Sequence, residues 1–283
     1  MSYHISNIAD IISATYLQKA GDAFIENLLT DSRKLLFPES SLFFALPGSG
    51  RNGTSFMKPL YDKGVRNFVT DRSFSQGQVH NFPDANILMV NDVLQSLQQL
   101  AAYHRHQFTY PVIGITGSNG KTIVKEWLNQ LLGEEYNIVR SPKSYNSQVG
   151  VPLSVWRMNE SNTLGIFESG ISQAGEMIQL QKIIDPELGI VTFIGSAHAE
   201  GFESTEQKIR EKLLLFKNAQ LLIYDLDDER LAAAVNDFQK SQNVHLKTFT
   251  KSKAQGADLF VKKIHKEEEH TVIDCVHHGN EFS

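Results

Sequence analysis

The sequence predicts an α/β protein of two domains. A small mixed α/β domain over residues 1–108 precedes a domain over 109–283, which has a mostly parallel sheet covered by helices and a small antiparallel sheet. Three observations predict this. From residue 111 short apolar strands alternate with helical patterns, as in a parallel sheet covered on both faces. Ahead of that, shorter apolar runs are punctuated by Pro and Gly turns. Near the end, two closely spaced stretches alternate apolar and polar residues, as an antiparallel pair does.

In order, "SLFFAL" (41–46), "VRNFVT" (65–70) and "ANILMV" (85–90) are the strands of the first domain. Asp92 caps a helix whose Val93, Leu97, Leu100 and His104 recur at helical spacing. "QFTYP" (107–111) reads as the linker, because Pro111 pushes its predecessor towards extended geometry. "VIGIT" (112–116) is a strand, followed by a helix over 121–132 with Val124, Leu128 and Leu131 on one face. Strands at 137–140, 164–168, 188–194, 220–225 and 244–249 then alternate with helices at 148–158, 174–184, 204–218 and 228–240. "ADLFVKKI" and "HTVIDCVHHG" form the antiparallel pair. His277-His278 has no spaced partner and reads as a strand end rather than a metal site.

The chain has 283 residues, is 41% hydrophobic and 21% charged, and carries a formal net charge of −5. Its Lys and Arg residues are scattered, which argues against nucleic acid as a partner. No apolar run approaches the ~20 residues of a membrane span, and the N-terminus lacks the pattern of a signal peptide. Cys275 is the only cysteine, so no intrachain disulfide forms, which fits a reducing compartment. The expected location is cytoplasmic.

The stretch "GITGSNGKTIVKEW" (114–127) carries the chemistry. A glycine-rich turn between strand and helix points backbone N–H groups at one spot, where the helix N-terminus adds partial positive charge. Gly117, Ser118, Asn119 and Gly120 would cradle a phosphate, Lys121 would reach the outer phosphates, and Thr122 would ligate Mg²⁺. The strict P-loop pattern places Gly five residues before Gly120; here that residue is Ile115.

This shortened P-loop resembles that of the Mur ligase family, which includes folylpolyglutamate synthase as a relative. The resemblance continues in "SYNSQVGVP" (144–152), "FESGISQAGEM" (167–177), "IGSAHAEGFES" (194–204) and, in the first domain, "TDSRKLLFPESSLFFALPGSGRNG" (30–53). "GKTIVKE" and "ESGISQAGEM" look like the family member that adds D-alanyl-D-alanine to UDP-N-acetylmuramoyl-tripeptide. The member that adds the third amino acid, and a non-catalytic module that holds the UDP precursor, stay open as alternatives. So does a different P-loop enzyme, such as a kinase or a folyl ligase.

The resemblance implies ATP as substrate, two Mg²⁺ ions, and an acyl-phosphate route to the amide. It makes Glu168 a metal ligand beside the phosphates and His198 the ligand of a second metal, where Mn²⁺ is an alternative. Lys212, fourteen residues after His198, matches the family lysine that becomes carbamylated and faces the metals, with Lys208 the fallback. Asn146 matches a substrate asparagine, and Ser32 and Arg33 match the segment that holds the UDP group. Taken without the resemblance, Glu168 is a strand-end acid, His198 a structural histidine, Lys212 a surface lysine, Asn146 a cap, and Ser32-Arg33 a turn. Departures are Leu214 where the family often has Glu, and Phe193 where it often has Asn. The family also has a third, C-terminal Rossmann-like domain. The sequence ends near the close of the central domain, so the expectation is a fragment of a longer or fused protein, with little activity alone.

Overall fold

The computed structural model describes residues 1–48, 52–195, 199–252, 256–268 and 270–283. Contacts divide the chain into two compact units, Met1–Phe108 with Val155–Glu160, and Thr109–Ser154 with Ser161–Ser283.

The first unit contains β1 (Tyr3–His4), α1 (Ile5–Ile11), β2 (Thr15–Gln18), β3 (Phe24–Ile25), β4 (Asn27–Leu29), β5 (Ser41–Phe44), α2 (Met57–Asp62), β6 (Asn67–Thr70), β7 (Asn86–Met89) and α3 (Val93–Arg105). Its sheet runs β2-β7-β6-β5-β4, parallel except for β2. β5 and β6 are buried along their whole length, as continuous apolar runs inside a covered sheet require. Phe43, Met57, Leu60, Phe68 and Phe82 form the centre of the core. Asp92 caps α3 through the Gln95 amide at 2.8 Å, and Val93, Leu97, Leu100 and His104 are buried, as their spacing predicts.

Residues 155–160, which sequence alone assigns to the second domain, pack in this first unit. The Trp156 indole donates to the Glu26 carbonyl at 2.7 Å. The His104 ring lies 3.0 Å from the Met158 carbonyl through Nε2 and 2.9 Å from the Tyr3 hydroxyl through Nδ1. A carbonyl only accepts, so Nε2 carries the proton and Nδ1 accepts from Tyr3. Burial pushes the His104 pKa down to about 4, which keeps this tautomer neutral.

The second unit holds β8 (Val112–Thr116), α4 (Lys121–Leu132), β9 (Ile138–Arg140), α5 (Gly150–Val155), β10 (Leu164–Ser169), α6 (Met177–Ile184), β11 (Leu188–Val191), α7 (Thr205–Leu213), β12 (Leu221–Asp225), α8 (Glu229–Ser241), β13 (His245–Thr250), β14 (Leu259–Lys266), β15 (Thr271–His277) and β16 (Asn280–Phe282), with the last residue of α5 belonging to the first unit. One sheet runs β16-β15-β14-β13-β12-β11-β8-β10-β9. β9 to β14 and β8 are mutually parallel; β14, β15 and β16 are antiparallel. The antiparallel strands foreseen at the end are therefore continuous with the parallel sheet, through Phe249↔Leu259 and Thr250↔Phe260.

β8 lies between β10 and β11, so the chain leaves it for one side of the sheet and later crosses to the other. The crevice at its carboxyl end is a topological switch point, where α/β sheets bind ligands. Gly189 of β11 clears space for the helical turn Leu214–Phe216, since a Cβ there would lie 2.5 Å from the Phe216 ring. That seats the end of α7 on the sheet.

Candidate active site

The register of the three central strands sets the site. Thr116 pairs with Ser169 of β10 and with Val191 of β11, so the loops after all three strands leave the sheet at one level. The loop after β8 turns through Gly117 (φ 149) and Gly120 (φ 89) into α4. Glycine is required at 117 twice over, because a Cβ would also lie 1.9 Å from the Thr192 hydroxyl.

The turn is zipped to the segment after β11. The Thr192 amide donates to the Thr116 carbonyl at 2.8 Å and its hydroxyl to the Asn119 carbonyl at 2.7 Å. The Ser118 and Asn119 amides donate to the Phe193 carbonyl at 2.8 and 3.4 Å, and the Ser118 hydroxyl reaches the Gly195 carbonyl at 3.2 Å. Two amides of the predicted cradle are thus committed to the neighbouring segment. Besides the Gly117 and Gly120 amides of the cradle, the donors that open α4, at Lys121, Thr122 and Ile123, have no helix carbonyl one turn back and are left for an anion.

α4 packs Val124, Leu128 and Leu132 against Ile113, Ile115, Leu164 and Ile166. Leu131, foreseen on that inner face, is instead exposed, in line with Ile123 and Trp127 on the outer stripe. The Lys121 ammonium folds back on the carbonyls of Gly117 (2.8 Å) and Ser118 (3.2 Å). Burial pushes its pKa down, opposed by the charge of Glu168.

Glu168 ends β10 fully buried. Its Oε2 accepts from the Thr122 hydroxyl at 3.0 Å. Its Oε1 faces the ammonium of Lys125 at 3.0 Å as an ion pair but takes no hydrogen bond among the described residues. Lys125 is itself fully buried and also donates to the carbonyls of Ser141 (2.8 Å) and Lys143 (2.5 Å).

A carboxylate whose Oε2 meets the Thr122 hydroxyl, with Oε1 kept to Lys125, fits Mg²⁺, which takes one or two protein oxygens and completes its shell with water and phosphate. Among the described residues no three His, Cys, Asp or Glu side chains gather into a metal site by themselves. His198 lies outside the described residues.

Lys212 sits on α7, fully inside, beside the buried Ile209, Leu213 and Phe216. Its ammonium reaches the Gly117 carbonyl at 3.2 Å. Burial, then the charges of Lys121 and Lys208, bring its pKa down to about 7. Of the two lysines left open by sequence, Lys212 lines the cavity and Lys208 turns towards the Gly195 carbonyl. The cavity, of about 320 Å³, brings Gly117, Ser118, Lys121, Asn146 and Lys212 together. Asn146 is held at its rim by the Gly170 amide, which donates to its carbonyl at 2.8 Å. A second, mainly apolar cavity of about 530 Å³ adjoins Asn119 and Gly120 and is walled by Ile123, Ile190, Phe193 and Phe249.

Ser32 and Arg33 lie in the first unit, on a separate cavity of about 460 Å³ shared with Asp31, Phe43 and Gly53. The Arg33 guanidinium bonds both oxygens of Asp31, at 2.9 and 2.8 Å. These bonds hold the Asp31 carboxyl at about pKa 2, and 87% of the Arg33 side chain stays exposed.

Sequence reasoning missed Lys125 and the zipper residue Thr192. The signal for Lys125 was a lysine one turn after Lys121, on the side of α4 that faces the strand ends. Nothing in the sequence marked Thr192, whose partners are set by the register of β8 and β11.

The family profile described as "Mur ligase middle domain" matches residues 115–283. The UDP-N-acetylmuramoyl-tripeptide–D-alanyl-D-alanine ligase of Bacillus subtilis (strain 168) is 32% identical over 235 residues, which is 81% of this chain and 50% of that protein. The corresponding ligase of Borreliella burgdorferi is 34% identical over 187 residues, 65% of this chain and 40% of that protein. The chain thus spans about half the length of the curated relatives it matches.

Among solved structures, MurF from Acinetobacter baumannii superposes with a TM-score of 0.85 at 22% identity, covering 100% of this chain and 60% of that one. MurF ligase from Thermotoga maritima in complex with ADP gives 0.77 at 23%, covering 91% and 57%. At these identities the likeness establishes the fold. With the profile running from the end of β8 through the turn, α4 and the strands that follow, more than half of the chain, the chain belongs to the Mur ligase family.

Proposed function

We propose that the chain carries the precursor-binding and ATP-binding parts of a cytoplasmic ligase of peptidoglycan precursor synthesis, which joins D-alanyl-D-alanine to UDP-N-acetylmuramoyl-tripeptide. The carboxylate of the tripeptide attacks the γ-phosphorus of ATP, releasing ADP and leaving an acyl phosphate. The amine of D-alanyl-D-alanine then attacks the acyl carbon, phosphate leaves, and an amide remains. The observation that carries this reading is one cavity lined jointly by Gly117, Lys121, Asn146 and Lys212, with the Thr122–Glu168 pair beside it.

In this reading the amides opening α4 and the Lys121 ammonium bind the outer phosphates, and low local dielectric strengthens both contacts. The Thr122 hydroxyl and the Glu168 carboxylate would hold Mg²⁺, which when bound neutralises phosphate charge. The Lys212 amine, partly neutral at physiological pH, is suited to take up CO₂ with loss of a proton, giving a carbamate anion that faces the same cavity. Asn146 orients the acceptor carboxylate at the rim. The apolar cavity beyond Asn119 and Gly120 offers the purine base a slot next to the phosphates. Arg33 and Ser32 take the pyrophosphate of the UDP group in the first unit. The contribution of the protein is orientation and charge.

Thermal unfolding of the chain with ATP and Mg²⁺, UDP-N-acetylmuramoyl-tripeptide or folate tests the assignment. A rise with ATP and with the UDP precursor, and none with folate, is expected. Stabilisation by folate but not by the precursor overturns it. Phosphate release from ATP that requires both the tripeptide and D-alanyl-D-alanine, measured on the longest natural protein containing this chain, separates a ligase from a module that only holds the precursor.

A further inference from the structure

Lys208 is a buried lysine for which the proposed chemistry has no use. It lies on α7, one turn before Lys212, and is 3% exposed. Its ammonium donates to the Gly195 carbonyl, the same oxygen that receives the Ser118 hydroxyl at 3.2 Å. A buried ammonium near that of Lys212 carries a cost, because desolvation lowers its pKa and its charge opposes that of Lys212. Methionine would fill the same space without that cost.

The geometry accounts for its presence. The segment Thr192–Gly195 is zipped to the phosphate turn by the Thr192 amide and hydroxyl, by the Phe193 carbonyl, and at its far end by the Gly195 carbonyl. Backbone-to-backbone bonds fix the first part of the zipper. The Gly195 carbonyl is held by side chains, the Ser118 hydroxyl from the turn and the Lys208 ammonium from α7. A charged donor holds a carbonyl more strongly than a neutral hydroxyl does.

We infer that Lys208 is a positioning residue for the polyphosphate: by pinning the Gly195 carbonyl it closes the zipper on Ser118 and holds the turn in the one arrangement that aims the amides of Lys121 and Thr122 at the anion. The inference rests on the nucleotide reading above. It concerns a side chain that does not line the nucleotide cavities and acts through Gly195 and Ser118.

Two variants of the 283-residue chain test it, Lys208→Met, which keeps the volume, and Lys208→Gln, which keeps a donor without the charge. Two quantities are measured for each: ADP–Mg²⁺ affinity by calorimetry, and amide exchange of the peptides spanning 115–122 and 190–195. For Lys208→Met the expectation is a loss in ADP affinity of roughly tenfold or more, the worth of one hydrogen bond to a charged group. Exchange at Ser118 and Asn119 should accelerate by a similar factor, while exchange in β12 and β13 stays as in the parent. Lys208→Gln should recover a large part of both. A folded Lys208→Met chain that binds ADP like the parent and protects Ser118 and Asn119 equally overturns the inference, as does a Gln variant no better than Met in both readouts. If Lys208→Met fails to fold, Lys208→Gln and Ser118→Ala carry the exchange measurement, and unchanged protection in both overturns it. If the parent chain itself binds no ADP, the nucleotide reading fails, and the exchange arm alone decides whether Lys208 holds the turn.

Discussion

Replacing Lys125 by Met should cost this protein more stability than any other single change at the site. Lys125 and Glu168 are both fully buried, and their charged atoms stand 3.0 Å apart. Lys125→Met leaves the Glu168 carboxylate in the interior with the Thr122 hydroxyl as its side-chain hydrogen-bond partner among the described residues, and it strips the Ser141 and Lys143 carbonyls of a donor. Breaking a buried pair from one side costs about 3–5 kcal/mol. For a unit of this size that corresponds to a drop of roughly 6–20 °C in melting temperature. The side chain of Glu126, 3.1 Å from Lys125, is 41% exposed and recovers its hydration when the lysine is gone, so it adds little. The decisive comparison is the double variant Lys125→Met/Glu168→Gln. Removing the orphaned charge should return about half of the loss, giving a coupling of at least ~1.5 kcal/mol in a double-mutant cycle. Urea unfolding of the four proteins at pH 7.5 measures it. A Lys125→Met chain within about 1 kcal/mol of the parent, or a double variant no better than the sum of the singles, would refute the reasoning.

Three further outcomes follow from the same geometry. Gly117→Ala, which places a Cβ against Thr192 at a φ of 149, should destabilise by about 1–3 kcal/mol and abolish detectable ADP binding by calorimetry. The Lys212 amine has a folded pKa near 7, below its ordinary 10.5, so between those values the unfolded chain binds a proton the folded chain lacks. Stability contributed at Lys212 therefore rises with pH from about 7 to about 10.5 and is flat below, and Lys212→Met should remove that rise from a series of urea titrations. Arg33→Ala breaks a pair that is largely exposed, so the melting temperature should hardly move, while affinity for a uridine diphosphate ligand falls severalfold in the same calorimeter.

Much of the fold could be read from the sequence, because the strands of the second unit are short apolar runs whose period and Gly/Pro borders leave few options. The helix 121–132 matches α4 end to end, and Asp92 caps α3 as its position suggests. What escaped is what register decides. β2, β3 and β4 are two to four residues long and only half-buried in places, too short for periodicity to declare them. The helix foreseen over 148–158 ends at Val155, because Trp156 and Met158 find their hydrogen-bond partners in the first unit instead. At the site, Glu168, Thr122 and Lys121 stand out in the sequence by their types at a strand or helix end, and the structure brings Glu168 and Thr122 into contact. Lys125 needs the knowledge that its side of α4 meets a buried carboxylate, and Thr192 the knowledge that β11 lies next to β8.

The six residues Val155–Glu160 bear on how this protein can be taken apart. The chain passes from one unit to the other and back before it settles, so a cut after Phe108 does not release an intact half. The severed N-terminal piece would keep Glu26, Tyr3 and His104 but surrender the indole and the carbonyl that answer them. Any scheme that grafts, exchanges or separately expresses the two halves has to carry that short excursion with the N-terminal part, for instance by circular rearrangement rather than by a single cut.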